Sequence, residues 1–382
     1  MVTAVDRRPT RSPRRPRRRV QPLLMGALAG ALLVAVAGAW YSGLIVLPGK
    51  SQTPAAPRVF ISETGLFVDP DSAAARQVDK WEAEGRAEDA LRMSKVANQP
   101  MPVWVTSSTG RVGAEVSAYV GRATAAEQRP FLVAYNIPHR GCSDRAKGGA
   151  IDAHDYRAWI RELSGALGGH EATIVLEPDA VAQQVSGCSE SSEEERYDLL
   201  ADAVKVLKST KSVKVYIDAG NPGFGSDTDG LADALKRSGI ASADGFSLNV
   251  ASFYPTDNVV EFGKELSEKL GGAHFVVDTG RNGNGEVDGD QINGADASCN
   301  PPGRALGQEP TTNTGDPVVD GFLWIKRVGE SDGSCRPGEP PAGQWWPEYA
   351  LSLVPATDGD GNGDGNDDGG GELATGDSDA GG

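Results

Sequence analysis

Between about residue 100 and residue 330, a short apolar, β-branched run repeatedly stops at a polar residue beside Gly or Pro. The instances are PVWVTSS, FLVAYNIPHRG, ATIVLEPD, VKVYIDAG, GFSLN, HFVVDTGRNG and GFLWIK. Such runs have the length of buried strands rather than of helices. Helix-like amphipathic stretches lie between several of them, among them Asp155–Leu167, Glu193–Lys208 and Val259–Leu270. Strands alternating with helices imply an α/β fold built from parallel β/α units. In a β/α barrel the functional groups sit where strands end, on the C-terminal face. Asp179, Asp218 and Asp278 each follow such a run. One aspartate there could simply cap the next helix. Three at matching positions favour a shared rim.

Charge divides the rest of the chain. The 382 residues carry 37 Lys+Arg and 53 Asp+Glu, a net charge of −16. Residues 1–47 hold eight Arg and one Asp (+7), and residues 357–382 hold eight acids and no base (−8), so the body carries −16 − 7 + 8 = −15. An acidic body argues against nucleic acid as the main partner, since phosphate binding needs a basic footprint. Arg7 to Arg19 precede an apolar Gly/Ala-rich run from about Leu23 to Leu47. Positive charge before an apolar run fixes the N-terminus in the cytoplasm. About 25 residues is enough to span a bilayer. Segment 1–20 is therefore expected to be a basic cytoplasmic segment, and 21–47 a signal peptide or, preferred, an uncleaved signal anchor. The rest is expected to be exported, either anchored at the cell surface or secreted. Segment 48–57 (PGKSQTPAAP) is expected to be a Pro-rich linker.

The four cysteines, Cys142, Cys188, Cys299 and Cys335, fit an exported chain as two disulfides, with three connectivities open. No CxxC or Cys/His cluster points to a metal, and the four His lie at no zinc-ligand spacing. The tail 357–382 resembles a calcium loop from Asp358 to Asp364, but its twelfth position is Gly369 rather than Glu. It is expected to be a solvated acidic tail. No cofactor is expected.

Several carboxylates without metal ligands are the equipment for hydrolysing a glycosidic bond. Tryptophan and tyrosine faces stack on sugar rings, and Trp104, Trp324, Trp345 and Trp346 are available.

At these residues the chain resembles glycoside hydrolase family 6, the inverting cellulases. The resemblance runs from Leu66-Phe67-Val68-Asp69-Pro70 to Leu353. It is carried by YNIPHRGC (135–142), EPD (177–179), YIDAG (216–220), DTGRNGNG (278–285), PPGRALG (301–307), TTNTGDP (311–317), DGFLWIK (320–326), GESDG (329–333) and AGQWWPEYA (342–350). It implies one catalytic domain over 58–356, folded as a distorted, incomplete β/α barrel with an active-site groove. Separately, a monomer is expected. The resemblance also implies inverting hydrolysis of β-1,4-glucan, the expected partner. By resemblance Asp179 is the general acid, with Pro178 and the strand end holding it partly desolvated and its pKa raised. Asp278 is the proposed base, and Asp218 a supporting carboxylate. Tyr135 lies near the distorted sugar. Trp324, Lys326 and Glu330 match glucan-binding residues of the family, and Trp104 and Asn249 are further candidates for binding the glucan. The family's disulfides pair Cys142 with Cys188 and Cys299 with Cys335. The short segment from Gly285 to Cys299 implies an open groove and endo action.

Three motifs depart from the family. Arg140-Gly141-Cys142 replaces Arg-Asp-Cys, removing an acid that keeps the general acid protonated. The acid's pKa is then expected to drop, unless Asp144 supplies the missing carboxylate. Asp218-Ala219-Gly220-Asn221-Pro222-Gly223-Phe224 loses a His and a Trp of the family motif, and Asn249-Val250-Ala251-Ser252-Phe253 replaces NTSNY. The alternative these changes raise is a glycan-binding pseudoenzyme.

Overall fold

The structure, a computed structural model, describes residues 62–142 and 148–355. The basic head, the apolar run, the linker, the acidic tail with its calcium-like loop, and Asp144 lie outside the described residues.

Seven parallel strands form the sheet: β1 (Val103–Val105), β2 (Phe131–Ala134), β3 (Ala172–Leu176), β4 (Val213–Asp218), β5 (Gly245–Leu248), β6 (Phe275–Asp278) and β9 (Val319–Leu323). Their spatial order is β1-β2-β3-β4-β5-β6-β9. They are the seven polar-ended runs of the sequence. The sheet curls into a distorted half-barrel whose outer strands, β1 and β9, do not pair. The gap between them is spanned by a side chain: Trp104 of β1 donates its Nε1–H to the Ile325 carbonyl, just past β9, at 2.9 Å.

Alternation along each strand sorts side chains to two layers. Phe131, Val133, Val175, Tyr216, Val276 and Leu323 fill the barrel interior with Leu66, Val250 and Ile325. Leu132, Ala134, Ile174, Leu176, Val215, Ile217, Phe246 and Phe275 face the surrounding helices. Those helices include α3 (Val112–Ala125), α4 (Ala153–Ala166), α6 (Glu193–Leu207), α7 (Thr228–Arg237) and α8 (Thr256–Lys269). Side-chain oxygens of Asp152, Ser192 and Asp227 cap α4, α6 and α7 by accepting backbone N–H groups. On α8, Gly263 is set by packing: a Cβ there would lie 2.5 Å from the Phe275 ring.

Two features were not legible in the sequence. Helices α1 (Ala73–Ala83) and α2 (Ala87–Ala97) pack against α9 (Pro347–Ser352) through a separate core of Trp81, Met93, Trp324, Val328 and Tyr349. A small antiparallel hairpin, β7 (Gln291–Ile292) and β8 (Ala295–Asp296), occupies the segment expected only to be short. Cys142–Cys188 and Cys299–Cys335 are joined, the pairing the resemblance implies.

Phe246 is fully buried and stacks on Phe275 at 5.1 Å. Phe246→Ala is expected to lower unfolding stability by about 3–5 kcal/mol. Chemical denaturation checks this, and a loss under about 1 kcal/mol contradicts the packing.

Candidate active site

Side chains alternate only while the backbone stays extended, so the inward face carries to the last residue of a strand and the rule fails where φ turns positive. Asp218 and Asp278, ending β4 and β6, keep to the inward side with Tyr216 and Val276, whereas Glu177 and Asp179, after β3, take φ of +48° and +70° and are aimed by the turn instead. Over these strand ends lies a cavity of about 820 Å³ whose walls include Trp104, Tyr135, Asp179, Lys326, Glu330 and Asp332. Both sides of the β1/β9 gap contribute to it.

Asp179 lies at the start of α5 (Ala180–Val185) in the left-handed conformation, φ +70°, and its side chain caps nothing. The carboxyl is therefore not spent on the helix. It faces the cavity, and burial pushes its pKa above the usual carboxylate range. The expected drop at Asp179 is thus offset: Gly141, at φ +86°, brings no like charge, but the walls supply desolvation.

Asp218 is fully buried behind Asp179 and off the cavity surface. Its Oδ1 accepts the backbone N–H of Asp179 at 2.7 Å and that of Gly220 at 3.2 Å, and its Oδ2 accepts the Ser247 hydroxyl at 2.9 Å. Burial, and then the charge of Asp179, raise its pKa. Such a group holds Asp179 in place and stays protonated beside it.

Asp278 lies away from the cavity wall. Its Oδ1 accepts backbone N–H groups of Gly280 at 3.0 Å and Ile325 at 3.2 Å, and its Oδ2 those of Ala251 at 3.1 Å and Lys326 at 2.8 Å. A carboxylate offers about four acceptor positions. All are taken, so Asp278 ties three loops together and has no free lone pair for water.

The acid that sequence reasoning missed is Asp332. It lies within the quoted GESDG motif, from which only Glu330 was selected. Asp332 lines the cavity. Its Oδ2 accepts Arg281 Nη1 at 2.7 Å, and Lys326 Nζ lies 3.7 Å from its Oδ1. Burial alone would raise its pKa, but the Arg281 and Lys326 charges override this and hold it below the usual range. Arg281 is in turn fixed by the Ala251 carbonyl and by stacking 4.6 Å over Phe253.

The predicted binding residues divide. Tyr135 and Trp104 pack edge to face at 5.2 Å on the cavity wall, the Arg140 guanidinium lies 4.4 Å over Tyr135, and Lys326 Nζ lies 5.8 Å from Trp104. Glu330 reaches the cavity and pairs with Arg327 at 2.9 Å. Trp324 and Asn249 do not reach it. Trp324 is 1% exposed and donates to the Gln308 carbonyl, inside the satellite core. Asn249 is fully buried, with Nδ2 bonded to the carbonyls of Asp278 and Tyr254. Trp345 and Trp346 also lie off the wall, packed against the satellite core.

A sequence model described as "Glycosyl hydrolases family 6" matches residues 61–357. The chain belongs to this family. Endoglucanase A of Cellulomonas fimi is 38% identical over 293 residues, 76% of this chain and 61% of that protein. Endoglucanase 1 of Streptomyces halstedii is 36% identical over 299 residues, 76% of this chain and 88% of its own length. The chain thus spans about three fifths of the length of the Cellulomonas fimi relative. Among solved structures, a Mycobacterium tuberculosis endoglucanase in complex with methyl-cellobiosyl-4-deoxy-4-thio-β-D-cellobioside is 39% identical. It superposes with a TM-score of 0.70, covering 77% of this chain and 98% of that one. The half-barrel and the quoted motifs of family 6 agree with this membership.

The buried carboxyls set a pH dependence of stability. Glu177 is fully buried, accepts the backbone N–H groups of Asn136 and Ile137, and is raised by burial from 4.5 to about 7. A carboxyl whose folded pKa is raised contributes stability at low pH that is lost as pH rises through the folded value. Asp179 and Asp218 act in the same direction, and Asp332 in the opposite direction only at lower pH. The thermal midpoint is therefore expected to fall between about pH 4.5 and about pH 7. Glu177→Gln should remove part of that fall, on the order of 2–3 kcal/mol. Calorimetry at both pH values tests this; a wild-type midpoint that rises across the window refutes it.

Proposed function

We propose that the chain hydrolyses β-1,4-glucosidic bonds of cellulose or related β-glucans by an endo-acting, inverting mechanism. The carrying observation is the pair of cavity carboxyls in opposite states: Asp179 raised by burial and Asp332 held ionised by Arg281 and Lys326. Asp179 donates its proton to the glycosidic oxygen as the anomeric C–O bond breaks. A water attacks the anomeric carbon from the opposite face, and its proton passes to the Asp332 carboxylate. A retaining mechanism needs a second carboxylate beside the acid as nucleophile. The carboxylate behind Asp179 is Asp218, whose two oxygens already accept three hydrogen bonds inside the wall. Asp332 thus takes the base role first assigned to Asp278.

The names of the relatives support the glucan class and the endo mode. Tyr135 and Trp104 offer aromatic faces for pyranose rings, and Lys326 and Glu330 polar contacts for hydroxyls. Export is supported by the basic-then-apolar head and by the two disulfides. Among the described residues, no helix is long and apolar enough to cross a membrane. Membrane anchoring through 21–47 is proposed from the sequence alone.

The second reading, a glycan-binding pseudoenzyme, is favoured by Gly141, which leaves the cavity without a carboxylate at that position. Reducing-sugar release from soluble β-glucans by the purified protein separates the two. Hydrolysis is expected, with Asp179→Ala lowering kcat by about 10²–10⁴-fold. Calorimetric binding of cello-oligosaccharides with no turnover supports the pseudoenzyme instead.

The base assignment has its own test. Asp332→Asn is expected to fold and to lose about 10²-fold or more in kcat. Asp278→Asn puts an NH₂ where backbone donors point, so it is expected to destabilise by about 2 kcal/mol or more. Wild-type activity in Asp332→Asn overturns the base assignment.

A further inference from the structure

Directly after Cys299, Asn300 sits 4% exposed with φ +45°, in the left-handed region. No chemistry expected from the sequence uses it, yet it has more partners around Asp332 than any group described above. Its backbone N–H donates to Asp332 Oδ2 at 3.0 Å, and its side-chain Oδ1 accepts the backbone N–H of Asp332 at 2.7 Å. Its Nδ2 donates to the Gly333 carbonyl at 2.8 Å, to Glu339 Oε2 at 3.1 Å and to Ser331 Oγ at 3.2 Å. Glu339 is itself fixed by the backbone N–H groups of Cys335 and Arg336. Asn300 and Cys335 are bound to the same Cys299, one by the chain and one by the disulfide.

We propose that Asn300 is a positioning residue for Asp332, holding its backbone and its Oδ2 so that Oδ1 is the oxygen left to take a proton from water. The proposal rests on Asp332 as the base. Arg281 and Asn300 both bond Oδ2, while among the described residues Oδ1 has only the more distant Lys326 Nζ. A carboxylate on a glycine-flanked loop (Ser331-Asp332-Gly333) has torsional freedom that a single salt bridge does not remove. A two-point clamp on the backbone and on one oxygen does. An asparagine suits the position because it tolerates the left-handed backbone and offers acceptor and donor at once.

The test is Asn300→Gly in the full chain. Glycine accepts φ +45° and keeps the backbone N–H to Oδ2, while all side-chain bonds are lost. The charged and titratable groups facing Asp332 are Arg281 after β6, Lys326 and Glu330 after β9, Glu339 beyond Asn300, and Tyr349 on α9, and the variant leaves all of them in place. The measurements are kcat and KM against pH on a soluble β-glucan, with cellotetraose calorimetry to count folded sites. The expected result is an acidic limb moved upward by about one pH unit. With it goes a kcat on the plateau of the profile about tenfold lower per folded site, from the misplaced base, with KM within about twofold. An unmoved acidic limb, with activity lost only in proportion to folded sites, overturns the proposal. If Asn300→Gly does not fold, Asn300→Asp replaces it. That variant brings a negative charge beside Asp332, so an upward shift of the limb is again expected, and no shift overturns the proposal. Wild-type activity in Asp332→Asn removes the underlying base assignment. Loss there, with an unmoved limb in the Asn300 variant, removes only the role of Asn300.

Discussion

A parallel sheet that curls without closing leaves two edges of unpaired backbone groups, and everything functional here depends on how that gap is managed. β1 and β9 are joined by one indole-to-carbonyl hydrogen bond, Trp104 to Ile325, instead of a ladder. An edge left open to solvent invites pairing with other chains. An edge bridged by side chains instead leaves a cleft with a wall on each side. Trp104 and Thr106 come from one side of the gap, Lys326, Arg327 and Glu330 from the other. The same indole that bridges the edges also lines the cleft, so the closure and the proposed sugar-binding surface share one residue.

Around this cleft one residue type is used in four ways, and environment decides each. Asp278 accepts four backbone N–H groups and is structural cement. Asp218 accepts from Asp179 and Ser247 and backs the wall. Asp179 keeps its carboxyl free of helix capping and is desolvated towards its neutral form. Asp332 is held as an anion by two cations. Pairs of carboxyls whose surroundings push their proton affinities apart are the usual signature of an acid and a base.

Much of this was legible in the sequence, because strand periodicity is local and hydrophobic. All seven sheet strands were visible as polar-ended runs, and α4, α6 and α8 fall within a few residues of the amphipathic stretches. The rim carboxylates Asp179 and Asp218 were visible as strand-end residues, and the family motifs carried the disulfides. What failed was any judgement that needs the third dimension. Asp278 and Asp332 both lie in quoted motifs, and no spacing rule reveals that the first is saturated by amides from three loops while the second faces the cleft. Trp324 looked like a sugar platform because tryptophans serve both cores and binding sites. Only the packing of α1, α2 and α9 against it decides for the core. The α1–α2 pair itself has no strand partner and so escaped a pattern built on β/α alternation.

The left-handed backbone at Asp179 constrains more than its proposed role as the acid. At φ +70° most L-residues pay a steric cost, while Asn, Asp and Gly are tolerated best. Chain geometry and chemistry therefore screen this position independently. A lineage released from the proposed need for a proton donor here is still channelled by the peptide backbone towards asparagine or glycine, not towards the full alphabet. The shape of the turn is a filter on inheritance: a descendant that has lost the reaction will keep, in the identity of one residue, the imprint of the bend that once served it.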